Sequence, residues 1–78
     1  MTTVIELLKE KNQEHLVECI KNDSSISTIR SCEIQNKIVM YIEFKDTIVR
    51  NIVRGKKNII KFFNNKYEKL LKKDNVLN

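Results

Sequence analysis

The most regular pattern along the chain lies in its middle. Ile38, Met40, Ile42 and Phe44 alternate with Val39, Tyr41 and Glu43, the period of two that turns one side of a strand toward a core. Residues 27–34 are β-branched and polar by turns, and Gln35-Asn36 separates the two stretches. Asn tolerates a positive φ, so this predicts a hairpin of strands 27–34 and 37–45. Downstream the period changes. Val49, Val53, Ile60, Phe63, Tyr67 and Leu70 follow at gaps of four, seven, three, four and three, and Ile48, Ile52, Ile59 and Leu71 widen the stripe. This predicts one long amphipathic helix over 47–73, about 40 Å in length, capped by Asp46 or Thr47 and followed by a frayed tail at 74–78. Gly55 falls near its middle, where it costs about 1 kcal/mol relative to Ala. A kink, a tolerated flaw or the close approach of another backbone accounts for it. The first twenty residues read two ways. Val4, Ile5, Leu8, Leu16, Cys19 and Ile20 nearly share one helical stripe, and they fit a strand 3–8 followed by a helix 11–22 equally well. Local propensity favours one helix over the whole stretch.

Size sharpens this picture. At 78 residues and 9.3 kDa the chain suffices for one small domain over 1–78. Such a domain buries only about 60% of its unfolded surface, and commonly leans on a disulfide, a metal or a partner. Two cysteines thirteen positions apart, one histidine, one glycine and no proline exclude most enzyme motifs. They provide no four-ligand zinc site without carboxylates and no glycine-rich phosphate loop. No cofactor, metal or catalytic residue is expected. No apolar run approaches the length of a membrane span, and Met1-Thr2-Thr3 lacks the basic start of a secretory signal. The expectation is a cytoplasmic protein with reduced thiols.

Charge separates the two halves. Residues 1–39 carry five Lys/Arg against six Asp/Glu, and residues 40–78 carry ten against four. From Arg50 to Lys73 there are nine basic residues and one acid, Glu68. A block of this kind either solvates a helix face or meets a polyanion. Lys outnumbers Arg twelve to three, so nucleic-acid contact would be directed at the backbone. Other chemistry is thin. His15 and Cys19 at an i,i+4 spacing offer two metal ligands at most, and Glu10, Glu14 and Glu18 form a ladder that solvates a helix. Tyr41, Phe62 and Phe63 are able to stack on bases, but no strand interleaves aromatic and basic residues as RNA-binding sheets do.

The segment order, with several local patterns, resembles the CTAG/Pcc family, the small dimerising subunit of the KEOPS (EKC) complex. The matching pieces are residues 3–8 as a first strand, and residues 13–20 as a short helix ending at Asn22-Asp23. Residues 32–39 match the hairpin, and Ile42-Glu43-Phe44-Lys45-Asp46 matches the strand exit and helix cap. Val53-Arg54, with Asn58 four residues after the arginine, matches the start of the long helix. The resemblance implies an α+β fold ordered strand-helix-hairpin-long helix, with a three-stranded antiparallel sheet packed by two helices. It also implies a non-catalytic homodimer that docks on the ATP-binding tRNA threonylcarbamoyl-transferase subunit and helps to hold tRNA, in the cytoplasm and, in a eukaryote, the nucleus.

On this reading Leu16, Ile20, Ile60, Phe63, Tyr67 and Leu70 form the partner-binding face. Arg50, Arg54, Lys57 and Lys61 supply weak, backbone-directed RNA affinity. Two alternatives are a stand-alone basic nucleic-acid-binding module of KH-like type and a virus-encoded inhibitor of a host protein. Against the KH-like form, Gly55 is the one glycine, and a GxxG clamp needs two.

Overall fold

The computed structural model describes residues 3–46 and 50–77, the last five of these by backbone alone. Two helices come first, α1 (Val4–Glu10) and α2 (Glu14–Lys21). An antiparallel sheet of β1 (Ile26–Ile34), β2 (Lys37–Phe44) and β3 (Arg50–Arg54) follows, in the order β1-β2-β3. Helices α3 (Lys56–Lys66) and α4 (Glu68–Leu77) close the chain. The fold is α+β with a three-stranded antiparallel sheet, as expected. Among the described residues four helices, not two, accompany that sheet, and its third strand comes from a different part of the chain.

Residues 3–8 are helical, which corrects the strand implied by the family resemblance. The local chemistry explains it. Thr3 is the N-cap of α1, and its Oγ1 accepts from the Glu6 N–H at 3.1 Å. A Thr with Glu three positions on is the signature of a capping box. At the other end Asn12 takes φ 59°. The Gln13 N–H reaches the Leu8 carbonyl at 2.7 Å and the Asn12 N–H reaches the Lys9 carbonyl at 3.1 Å, a Schellman termination. Helix 11–22 narrows accordingly to α2, with Leu16, Val17 and Ile20 on its buried side.

The hairpin forms where the alternation placed it. Gln35 and Asn36 both have positive φ, 51° and 64°, the two-residue type I′ geometry that matches strand twist. This turn sets the register Ile34↔Lys37, Cys32↔Val39, Arg30↔Tyr41, with an irregularity between Ile26 and Thr28.

The single helix over 47–73 is replaced by a strand and two helices. Residues 47–49 lie outside the described residues, and with them Thr47 as a cap and Ile48 and Val49 on the stripe; among the described residues no helix follows Asp46 before β3. Residues 50–54 pair with β2 in the register Val39↔Arg54, Tyr41↔Ile52, Glu43↔Arg50. A spacing of four is one helical turn, but it is also an even number. Val49 and Val53 therefore share a face in either conformation, and β-branched Ile52 and Val53 favour the strand. Gly55 ends the strand. Its N–H donates to the Ile38 carbonyl at 2.8 Å, and its φ of 93° turns the chain into α3. Asn58 Nδ2 then donates to the Arg54 carbonyl at 2.9 Å. Beyond Lys66, the backbone breaks at Tyr67 (φ −103°, ψ 14°) into α4. Helix α4 runs to Leu77, so residues 74–77 continue it and are not a tail.

One core joins the layers. Leu7 and Leu8 of α1, Leu16 and Val17 of α2, Met40 and Ile42 of β2, and Ile59 and Phe63 of α3 are at most 1% exposed. The Cα envelope measures 42 × 29 × 16 Å, the thickness of one helical layer on one sheet. Gly55→Ala is expected to lower stability by about 1–3 kcal/mol in urea denaturation, because its positive φ strains any L side chain. Space does not limit the site, since a Cβ there would meet only Asn58 Nδ2 at 3.9 Å. An unchanged midpoint would mean that the β3–α3 junction does not hold this conformation.

Candidate functional site

The expected partner face is mostly consumed by the core. Leu16, Ile20, Phe63 and Tyr67 are buried in the core cluster, and Ile60 is half-buried against it. Only Leu70 of that set is exposed. The reason is economy of apolar surface: a chain this short has no second set of large residues with which to cover its sheet. Phe63 stands edge-on to Phe62 at 5.2 Å between centroids and stacks with Tyr67 at 6.1 Å. Phe63→Ala should therefore cost about 3–5 kcal/mol, close to the whole stability of a small domain. Thermal unfolding reads this directly, and a variant of near-native stability would restore Phe63 as an interface residue.

A groove of about 670 Å³ between α2 and the α3–α4 junction contains His15, Asp23, Lys66, Tyr67 and Leu70. Its polar centre is Asp23, just past the end of α2. The Ser25 N–H donates to Asp23 Oδ1 at 2.9 Å, the Ser25 hydroxyl donates to the same oxygen, and the Tyr67 hydroxyl donates to Oδ2 at 2.8 Å. The Lys66 ammonium stands 3.5 Å from Oδ2 and 4.5 Å from the centroid of the Phe44 ring. Burial pushes the Asp23 carboxyl up, but the Ser25 and Tyr67 hydrogen bonds and the Lys66 charge outweigh it and hold the group below its ordinary range. Burial and then the Asp23 carboxylate push the Tyr67 phenol well up, so it remains a neutral donor. This cluster ties the α2–β1 link to the α3–α4 junction across 44 residues of sequence. It is a clasp with its acceptors already engaged.

The sign of its pH dependence follows. A carboxyl lowered on folding stabilises above its unfolded value, about 3.9 for Asp, and that contribution disappears as pH falls through the folded value. Asp23→Asn is expected to melt earlier at neutral pH and to show a shallower decline below about pH 4. Parallel acid limbs for the two proteins would remove Asp23 from the linkage.

Among the described residues no helix covers the other side of the sheet. Register and alternation place Thr28, Arg30, Cys32 and Ile34 of β1 there, beside Lys37, Val39, Tyr41 and Glu43 of β2 and Arg50, Ile52 and Arg54 of β3. Three of the four large apolar side chains exposed among the described residues are on this face: Ile34 at 49%, Tyr41 at 38% and Ile52 at 57%. Val39 is only 4% exposed yet stands apart from the core cluster, which shows how closely its neighbours on this face surround it.

All three arginines of the chain, Arg30, Arg50 and Arg54, converge on the same face. With Lys37 they make four cations, against Glu43 as the one acid among the described residues of the face. Glu43 Oε1 accepts from Arg50 Nε at 3.1 Å; Glu43 is half-buried but the Arg50 side chain is well exposed, so solvent screens the pair and the guanidinium is open to another anion. Arg30 is directly opposite Tyr41, and Tyr41 opposite Ile52. Aromatic and basic residues are thus interleaved across the strands and not along any one of them, which is why no single segment displayed the pattern. Of the four basic residues expected to meet RNA, Arg50 and Arg54 lie here. Lys57 and Lys61 are exposed on α3, in the helical layer. Phe62 is half-buried against the core, so Tyr41 is the aromatic this face presents.

Among the described residues no helix is long and apolar enough to cross a membrane. The chain matches no family model, no curated protein and no solved structure.

Proposed function

We propose that the protein is a small non-catalytic nucleic-acid-binding module, and that the uncovered face of its sheet is the binding surface. The observation that carries this reading is the convergence of every arginine in the chain on one face beside exposed Tyr41 and Ile52. Exposed apolar patches mark interaction sites in soluble proteins, and Arg and Tyr are the residue types that binding surfaces concentrate. The excess of cations selects a polyanionic partner, in keeping with a formal net charge of +5 and a pI near 9.4. Phosphate contacts by exposed Arg and Lys give affinity without sequence readout.

Of the elements that the CTAG/Pcc resemblance implies for a tRNA-modification subunit, the hairpin is present. The strand-first order and the single long helix are both absent, and most of its docking face is core. The KH-like form lacks its clamp, since the one glycine is occupied in the β3–α3 turn. What remains of the sequence-based expectation is a basic module whose contacts are directed at the nucleic-acid backbone.

Fluorescence anisotropy with labelled oligonucleotides tests the proposal. Binding is expected to weaken steeply between 50 and 200 mM salt, as counterion release requires. The double variant Arg30→Glu/Arg54→Glu should reduce affinity at least about ten-fold, whereas Lys9→Glu/Lys11→Glu, at the end of α1, should reduce it less. Polyglutamate of matched charge is the control. Equal affinity for polyglutamate, or equal loss from both double variants, would assign the face to acidic proteins or to no specific partner.

A further inference from the structure

We infer that the nucleic acid this face takes is single-stranded, with an unpaired base stacked on Tyr41. This rests on the nucleic-acid reading above and deepens it. A hollow of about 460 Å³ on the outer face is lined by Thr28, Arg30, Tyr41, Glu43, Arg50 and Ile52, within the range of small-molecule sites. Its floor is apolar. Tyr41 and Ile52 are a directly opposed cross-strand pair, whose side chains stand about 5 Å apart at Cβ. Together they line the hollow with an aromatic ring and an aliphatic chain, apolar groups on which a planar base is able to lie. Arg30 flanks Tyr41 on the opposite side, where a guanidinium plane is able to extend the same platform.

The polar groups lie around this floor. Thr28, Glu43 and Arg50 form the next row of the sheet and offer a hydroxyl, a carboxylate and a guanidinium to the edge of a bound ring. Along β3, Arg50 and Arg54 share the outer face with Ile52 between them. Four residues of extended chain separate the two arginines by on the order of 13 Å. A strand of nucleic acid running along β3 therefore meets a cation on either side of the apolar floor. A duplex would engage the cations equally well, but its bases are stacked on each other and have no free face for Tyr41. The exposed aromatic in the centre of the cationic face is what favours an unpaired strand over a paired one.

Four probes of equal length and label test this by anisotropy: oligouridylate, oligothymidylate, an abasic ribose-phosphate strand and a duplex. The unaltered protein should bind the two base-bearing single strands about ten-fold more tightly than the abasic strand and the duplex. The ratio of uridylate to thymidylate then distinguishes RNA from DNA as the source. Tyr41→Leu keeps the apolar volume and removes the ring, and should erase most of that preference by weakening the base-bearing strands far more than the abasic strand. Tyr41→Phe should retain the preference. Circular dichroism checks that both variants are folded, and the four-probe comparison on the unaltered protein stands if one is not. Equal affinity for duplex and single strands, with Tyr41→Leu neutral, would overturn the stacking inference and leave the electrostatic reading intact. Binding to none of the four probes would overturn both.

Discussion

A chain of 78 residues builds one apolar interface between layers, and everything else in this structure is a consequence of where that interface lies. Met40 and Ile42 of the central strand meet Phe63 and Ile59 of α3, and Leu7, Leu8, Leu16 and Val17 from the first two helices fill the remaining space. All of these residues belong to the same side of the sheet. Burial of about 25 cal/mol per Å² makes this the dominant favourable term, and it claims nearly every large apolar side chain available. The opposite side of the sheet is left to be finished with whatever the alternation delivers there.

What it delivers depends on register. The type I′ turn at Gln35-Asn36 pairs Arg30 with Tyr41, and the Gly55 turn is set by the pairing of Arg54 with Val39. Because side chains alternate, a slip of one residue would exchange the two faces of a strand. Arg30 would move into the core and Ile29 out of it. The binding surface and the core are therefore specified by the same hydrogen bonds, and neither arrangement can be altered without the other. The Asp23 clasp contributes at a distance. By joining the α2–β1 link to Tyr67, it holds the helical layer closed over the sheet while taking no part in the outer face.

The legibility of these features in the sequence was uneven for physical reasons. The hairpin was readable because alternation at 38–44 and a turn-forming Asn36 agree. The first helix was not settled by its apolar pattern, which fits a strand as well, although local signals for it are present. Thr3 and Glu6 carry a capping box, and Asn12 a helix stop; these local signals outweigh the segment order that suggested a strand. Strand β3 was harder, since Ile52 and Val53 fit a widened helical stripe as well as a strand, and only pairing with β2 decides between them. The outer face was not readable from any one segment. Tyr41, Arg30 and Ile52 come from three strands, and their adjacency exists only after the sheet has formed. The Asp23–Tyr67 bond, 44 residues apart, was hidden for the same reason.

By itself the sequence determined an α+β domain with a central hairpin, a basic second half and a scarcity of catalytic groups. These properties follow from composition and short-range period, which survive whatever the chain does at long range. The tertiary structure decided which apolar residues were core and which were left exposed. It turned Leu16, Ile20, Phe63 and Tyr67 from a proposed interface into the interior, and it gathered three scattered arginines around Tyr41. Contacts between residues far apart in sequence arise from cross-strand register and layer packing, and neither quantity is encoded in a window of a few residues.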